Sequence, residues 1–127
     1  MGDRVSVSFA NGDQESIVIF AHWGGMEFAN DAKKYVEDLC VELIAAPSTV
    51  SRPLDRLEPQ TVMVDFVRWC TQNGWITPDV RVESNYYFGA DQYAGDNSDN
   101  GHFRIDLPAV LARMVDLSTK LAPKPPE

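Results

Sequence analysis

Residues 17–36, IVIFAHWGGMEFANDAKKYV, join an apolar run to a helix-like pattern through the four residues His-Trp-Gly-Gly. The run over 16–22 is apolar at almost every position, which is typical of a strand that is covered on both faces. Over 26–45 the apolar residues recur every three or four positions, which predicts an amphipathic helix. The stretch therefore predicts a strand followed directly by a helix, with residues 22–25 at the junction.

The residues before this stretch predict a second strand that forms a hairpin with the first. RVSVSF (4–9) alternates polar and apolar residues strictly, as a half-buried strand does. The Asn-Gly pair at 11–12 is typical of a tight turn. A two-residue turn there would place Val7 opposite Ser16, whereas a longer or bulged connection places Val7 opposite Ile19. We expect the second register, because it matches two apolar side chains.

The rest of the chain predicts two more helices and a second hairpin. A helix should begin near Pro59 and end at the Asn-Gly pair 73–74, and a third helix should follow Asp106. Between these two helices, strands over about 80–88 and 102–106 flank a polar, glycine-rich loop. We expect these two strands to pair with each other.

Together these elements predict an α+β protein with the order ββααββα. Its antiparallel sheet, of about four strands built as two hairpins, should pack against about three helices. The chain of 127 residues suffices for one domain, which we place at 1–121. The tail 122–127, APKPPE, is expected to be flexible.

The chain is acidic, with a formal net charge of −8 and a pI near 4.6. Such a surface repels the phosphates of nucleic acids and of anionic membranes, so neither is expected as a partner. The longest apolar run is too short to span a bilayer, and no secretory signal is recognised. Cys40 and Cys70 fall in predicted helices without a CxxC spacing, so we expect buried thiols in a reducing, cytoplasmic environment. No zinc site and no cofactor are expected.

The residues at the junction are suited to binding a ligand. The imidazole of His22 exchanges protons near neutral pH, and the indole of Trp23 offers a flat surface for stacking. Gly24 and Gly25 allow a ligand to approach the backbone closely. Tyr87 joins this set, because one of two adjacent tyrosines on a strand faces outwards and would extend a pocket beside Trp23.

A purely structural explanation of the junction is also open. The two glycines would then only turn the chain into the helix, while Trp23 packs into the core and His22 bonds to backbone. The carboxylate of Glu27, in the first turn of the helix, complements the positive helix end and would repel a phosphate. This charge argues against a phosphate site at the junction.

A strand that runs into His22, Trp23, Gly24 and Gly25 and then into a helix, close to an N-terminus of the form MGDRV, resembles a group of small uncharacterised prokaryotic and phage proteins. The resemblance covers roughly the first 45 residues. It implies no particular activity, since none is established for that group. It favours a role for the junction beyond that of a turn.

Two histidines are available for catalysis near neutral pH. His22 ends one predicted strand and His102 begins another. If those strands were neighbours, the two imidazoles would meet near Trp23, and His22 would serve as the general base of a small hydrolase. No nucleophile motif accompanies them, so surface or capped histidines are the simpler interpretation.

The loop sequence DNSDNG (96–101) invites comparison with calcium sites. Asp91, Asp96 and Asp99 suggest weak binding of Ca²⁺ or Mg²⁺. An EF-hand counted from Asp96 would need a glutamate where the chain has Leu107. A polar hairpin loop without a metal is therefore the preferred interpretation.

These observations lead to three hypotheses. The first is a non-enzymatic binding module that uses the junction at 22–25, with the loop at 89–101, to hold a small ligand or a protein partner. The second is a small hydrolase that uses His22, with His102 as a possible second group. The third is an assembly protein whose exposed aromatic strand forms a homodimer.

Overall fold

The computed structural model describes residues 2–46, 52–77 and 85–121. The elements in chain order are β1 (Val5–Asn11), β2 (Gln14–Glu15), β3 (Val18–Ala21), α1 (Gly25–Ala45), α2 (Pro59–Gln72), β4 (Tyr86–Gly89), β5 (His102–Asp106) and α3 (Leu107–Leu121). The α+β class and its three helices are confirmed, and the predicted order holds once β2 and β3 are taken as two parts of one interrupted strand. The predicted positions 80–84 and the tail 122–127 lie outside the described residues.

The sheet has the order β4-β3-β1-β5, with β2 paired to the end of β1. β3 is antiparallel to both β1 and β4, whereas β5 is parallel to β1. The prediction of a second hairpin was therefore wrong, because β4 and β5 lie at opposite edges of the sheet. The physical reason lies in β1, where Val5 to Ala10 are all buried. A buried strand needs hydrogen-bonding neighbours on both sides, and β5 supplies the second one.

The first hairpin contains a bulge, as its apolar pattern predicted. Ala10 pairs with Glu15 and Val7 pairs with Ile19, so one extra residue lies between β2 and β3. Ser16 fills the bulge, where its hydroxyl accepts a hydrogen bond from the Phe9 N–H at 3.0 Å. The expected pairing of Val7 with Ile19 is confirmed. The turn lies at 12–13, one residue later than expected.

The helices cover one face of the sheet and form the core with it. The side chains of Val5, Val7, Phe9 and Ile19 on that face belong to one buried cluster with residues of α1, α2 and α3. Phe66 of α2 is fully buried at the centre of this cluster. Its ring centroid lies 5.4 Å from that of Phe9, 5.7 Å from that of Phe28 and 5.3 Å from that of Tyr35.

The ends of the helices agree with the sequence signals. α2 begins at Pro59, and Gly74 just beyond its end has a φ of +84°. At the start of α3, Asp106 accepts a hydrogen bond from the Ala109 N–H at 3.1 Å. Within the described residues, no helix is both long enough and apolar enough to cross a bilayer.

Both cysteines are buried and unpaired, as predicted. Burial raises the pKa of the Cys40 thiol to about 11 and that of the Cys70 thiol to about 12. Both thiols therefore stay protonated and unreactive near neutral pH.

Candidate functional site

The junction lies at the surface, at the end of β3. The backbone of His22 is fixed on both sides, since its N–H donates to the Asn85 carbonyl and its carbonyl accepts from the Asp3 N–H, both at 2.8 Å. The side chain of Trp23 is 60% exposed, and its ring lies 4.8 Å from that of His22. Trp23 therefore does not anchor the core, and the two rings form an exposed corner.

The two glycines of the corner are required by close packing within the protein. A Cβ at Gly24 would lie 2.7 Å from the Cβ of Phe28. Gly25 has a φ of +60°, and a Cβ there would lie 2.5 Å from a carboxylate oxygen of Asp3. The space beside these glycines is thus filled by protein atoms, so they provide a sharp turn into α1.

A backbone carbonyl and a carboxylate lie at the N-terminal end of α1. The carbonyl of Asp3 accepts a hydrogen bond from the Gly25 N–H at 2.8 Å, and Glu27 is exposed in the first turn. These groups complement the positive end of the helix dipole. The charges at this helix end agree with the expectation that a phosphate would be repelled there.

The loop at 90–101 reaches the corner through the first residues of the chain. Asn100 donates a side-chain hydrogen bond to the Asp3 carboxylate at 2.7 Å. Arg4 forms ion pairs with Asp96 and Asp99, both at 3.2 Å. Hydrogen bonds from Ser98 lower the pKa of Asp96, and the positive charge of Arg4 lowers it further. Asp3 and Arg4 therefore connect the corner to this acidic loop.

The three aspartates considered for a metal are engaged by protein groups. Arg4 holds Asp96 and Asp99, and the Asp91 carboxylate accepts a hydrogen bond from the Tyr93 N–H at 2.9 Å. Within the ranges that the structure describes, no group of three or more His, Cys, Asp or Glu residues is arranged to hold a metal ion. The positive charge beside Asp96 and Asp99 thus comes from the guanidinium group of Arg4.

Tyr87 lies on the face of the sheet that the loop crosses. It pairs with Phe20 of β3, and the two rings stack at 4.9 Å. Its hydroxyl accepts a hydrogen bond from the Asp96 N–H at 2.9 Å, and Gly95 packs against its ring. Its side chain therefore supports the loop, and no ring contact joins it to Trp23 in the described part of the chain.

A hydrogen-bonded network surrounds His102 on the same face. The Nδ1 atom of His102 lies 2.7 Å from the Ser6 hydroxyl, and its Nε2 atom lies 3.1 Å from the Ser8 hydroxyl. Ser8 donates to Glu15 at 2.8 Å, and Asn97 donates to Ser6 at 2.9 Å. Since the single Ser8 proton goes to Glu15, Nε2 of a neutral His102 carries the proton and Ser6 donates to Nδ1.

This network resembles a nucleophile and its base, but the two serines and most of the His102 side chain are covered. Ser6 and Ser8 are fully buried, and the side chain of His102 is only 6% exposed. Asn97 of the loop covers Ser6 through its hydrogen bond. Because both hydroxyls are buried and hydrogen-bonded to protein groups, the network stabilises the sheet and the loop above it.

The two histidines do not meet. β1 lies between β3 and β5, so two strand spacings, roughly 10 Å, separate the strands that carry His22 and His102. The ring of His22 makes no hydrogen bond to any residue that the structure describes. The condition for the two-histidine site, that their strands be neighbours, is therefore not met.

Three partners of His102 were not predicted from the sequence, namely Ser6, Ser8 and Glu15. The signal was present in RVSVSF, where the two serines occupy the polar positions of the alternation. Such positions normally face solvent, and nothing local indicates that a loop some 90 residues later covers them.

Lowering the pH should destabilise the protein through His102. Burial lowers the pKa of His102; the Glu15 charge opposes this shift and the Arg104 charge adds to it. Below about pH 6.5, the ordinary histidine value, the unfolded chain binds a proton before the folded chain does. The free energy of unfolding should therefore fall between about pH 7 and the lowered pKa.

Urea denaturation of the wild type and of His102→Gln, at a series of pH values across this window, measures the effect. The variant cannot titrate at this position, so its stability should vary less with pH. If the free energy of unfolding varied equally with pH in the two proteins, His102 would not contribute to the pH dependence of stability.

Surface grooves lie away from the corner. One of about 390 Å³ follows β5 and is lined by Lys33, Arg104 and Arg113 among others. Another, of about 370 Å³, lies between β4 and α2 and has mainly apolar walls. Neither of these grooves is lined by His22 or Trp23. The exposed indole of Trp23 instead projects into solvent.

Comparison of the chain with known protein families, with curated proteins and with solved structures found no match. The resemblance to small prokaryotic and phage proteins stays a prediction. The geometry of the corner is thus the basis for the functional proposal that follows.

Proposed function

We propose that this chain is a non-enzymatic module that binds another protein through the corner formed by His22 and Trp23. The observation that carries this proposal is the exposure of the Trp23 side chain, 60% of which is open to solvent. Exposed tryptophan is costly in water, and tryptophan is among the residues that contribute most to protein–protein interfaces. Met26, 44% exposed, extends the apolar surface one turn into α1.

A protein partner suits this corner better than a small ligand does. Sites for small molecules are concave and surround most of the ligand. Neither His22 nor Trp23 lines either of the two grooves described above. A projecting indole is instead suited to enter a recess on a partner protein.

The charges around the corner favour a cationic partner segment. Asp3 and Glu27 carry negative charge there, while Arg4 is already paired with Asp96 and Asp99. The whole chain has a net charge of −8, which attracts positively charged surfaces over a longer range. The face of an indole also attracts arginine and lysine side chains. The partner segment should therefore present arginine or lysine to Trp23.

The hydrolase alternative receives less support from the geometry. A general base needs an acid, a nucleophile or a water within hydrogen-bonding reach of its ring. Among the residues described, the His22 ring contacts that of Trp23 and makes no hydrogen bond. This arrangement supplies a contact surface without a catalytic pair.

Titration with a short peptide of alternating glycine and arginine, followed by the indole N–H signals in ¹H–¹⁵N spectra, tests the proposal. The Trp23 signal should shift and saturate, and a matched glycine–glutamate peptide should leave it unchanged. Trp75 provides an internal reference, because its indole N–H donates to Asp31 at 2.9 Å. Trp23→Ala should weaken binding about tenfold or more.

Tyr93→Ala is the matched control, since Tyr93 is an aromatic residue that is 84% exposed in the loop. It should bind the arginine peptide as the wild type does. Equal binding of the two peptides, or undiminished binding by Trp23→Ala, would overturn the proposal.

A further inference from the structure

The outer edge of β4 is unpaired among the residues that the structure describes, and its backbone groups point away from the sheet. The His22 N–H donates to the Asn85 carbonyl at 2.8 Å, which fixes the alternation of the antiparallel ladder. Residues 85, 87 and 89 therefore bond to β3, while the N–H and C=O groups of Tyr86 and Phe88 face outwards. No described strand pairs with this outer edge.

This edge lacks the features that normally prevent strand pairing. Proteins protect exposed edges with charged residues, prolines or bulges, and β4, YYFG, contains none of these. Phe88 is 52% exposed at the edge. It borders the groove of about 370 Å³, where Ile17, Val64 and Val67 supply apolar walls and Val64 is 71% exposed. A large uncharged surface therefore adjoins an unpaired strand.

We propose that β4 pairs antiparallel with β4 of a second copy of this chain. A two-fold axis at Tyr87 would place Tyr86 opposite Phe88 of the second copy, and Phe88 opposite Tyr86 of that copy. Both residues direct their N–H and C=O groups outwards, so each such pair forms two hydrogen bonds and the seam contains four. The two sheets join into one, and Phe88 is covered on the helix side.

Charge and symmetry favour a second copy over a different protein. Two chains that each carry −8 repel one another over most of their surfaces. The residues of β4 and the walls of the adjoining groove are uncharged, so two copies meet there without contact between like charges. The outward groups at 86 and 88 are also self-complementary about the axis, as a two-fold interface requires. This surface is separate from the corner, so it adds to the proposed function.

Sedimentation equilibrium over a series of concentrations tests the proposal. The wild type should show a reversible monomer–dimer equilibrium, and Phe88→Glu, which places a charge on the edge, should remain monomeric. Tyr93→Glu adds the same charge at an exposed aromatic residue outside β4 and should dimerise as the wild type does. A wild type that stays monomeric at millimolar concentration would overturn the proposal, as would a dimer that Phe88→Glu leaves intact.

Amide hydrogen exchange in the wild type tests the seam without a substitution. The Tyr87 N–H bonds to β3 and should be protected at every concentration. The N–H groups of Tyr86 and Phe88 should exchange quickly in dilute solution and slow by at least tenfold where the dimer forms. A dimer that leaves both of these amides unprotected would show that the copies meet elsewhere, which would overturn the proposed seam.

Discussion

Phe66→Ala is expected to lower the free energy of unfolding by about 3–5 kcal/mol, the largest effect of any single truncation that we propose. Phe66 is fully buried, and its ring contacts those of Phe9, Phe28 and Tyr35. These partners come from β1 and α1, so the ring joins α2 to both. Its removal leaves a cavity that the rigid sheet cannot close, and the lost contacts are not replaced.

Urea denaturation monitored by circular dichroism measures this loss. Val41→Ala is the control, because Val41 is a helix residue of α1 that is 48% exposed and lies outside the groove beside β4. It should change the stability by no more than about 0.5 kcal/mol. A loss below about 1 kcal/mol for Phe66→Ala would contradict the central position that we assign to this ring.

His102→Leu is expected to lower the free energy of unfolding by about 2–4 kcal/mol, although leucine suits a buried site. The substitution removes one hydrogen bond from each of the Ser6 and Ser8 hydroxyls, while Ser8 keeps Glu15 and Ser6 keeps Asn97 as partners. Both serines are fully buried, so water cannot easily replace the lost hydrogen bonds. The loop at 90–101 should also loosen, because Asn97 bonds to the same Ser6 hydroxyl.

His22→Leu, the same replacement at the other histidine, provides the comparison for His102→Leu. The ring of His22 makes no hydrogen bond within the described residues, so His22→Leu should have a clearly smaller effect in the same urea titration. Exchange of the Gly101 and Asn97 amides should speed up in His102→Leu only. Similar losses of unfolding free energy in the two variants would mean that the hydrogen bonds around His102 do not stabilise the protein.

The helices and the first hairpin were predictable because their signals are local. The period of the apolar residues located α1, and the first-turn proline and the Asn-Gly pair bounded α2. Matching Val7 with Ile19 even indicated the bulge. Each of these inferences uses residues that are close in sequence.

The order of the strands was not predictable in the same way. β5 alternates polar and apolar residues, and that pattern is satisfied beside β4 as well as beside β1. The choice depends on which neighbour completes the buried β1, a property of the whole sheet. The network of Ser6, Ser8 and His102 depends on the same choice, so it was missed together with the topology.

The exposure of the Trp23 side chain was also not predictable from the sequence. A tryptophan next to two glycines fits a core anchor and a surface contact equally well. Its exposure follows from the close packing of Gly24 against Phe28, which fixes how the chain leaves β3. The corner as a place of interest was therefore predictable, but the outward direction of its indole was not.

The parallel pairing of β5 with β1 also constrains how the chain acquires its structure during synthesis. β1 leaves the ribosome before β5 and keeps one row of amide and carbonyl groups unsatisfied until residues 102–106 have emerged. Closing such a distant contact is slow compared with forming a hairpin or a helix. Until then the nascent protein exposes an unpaired strand edge that can associate with other chains. Chaperones would shield this edge during the interval.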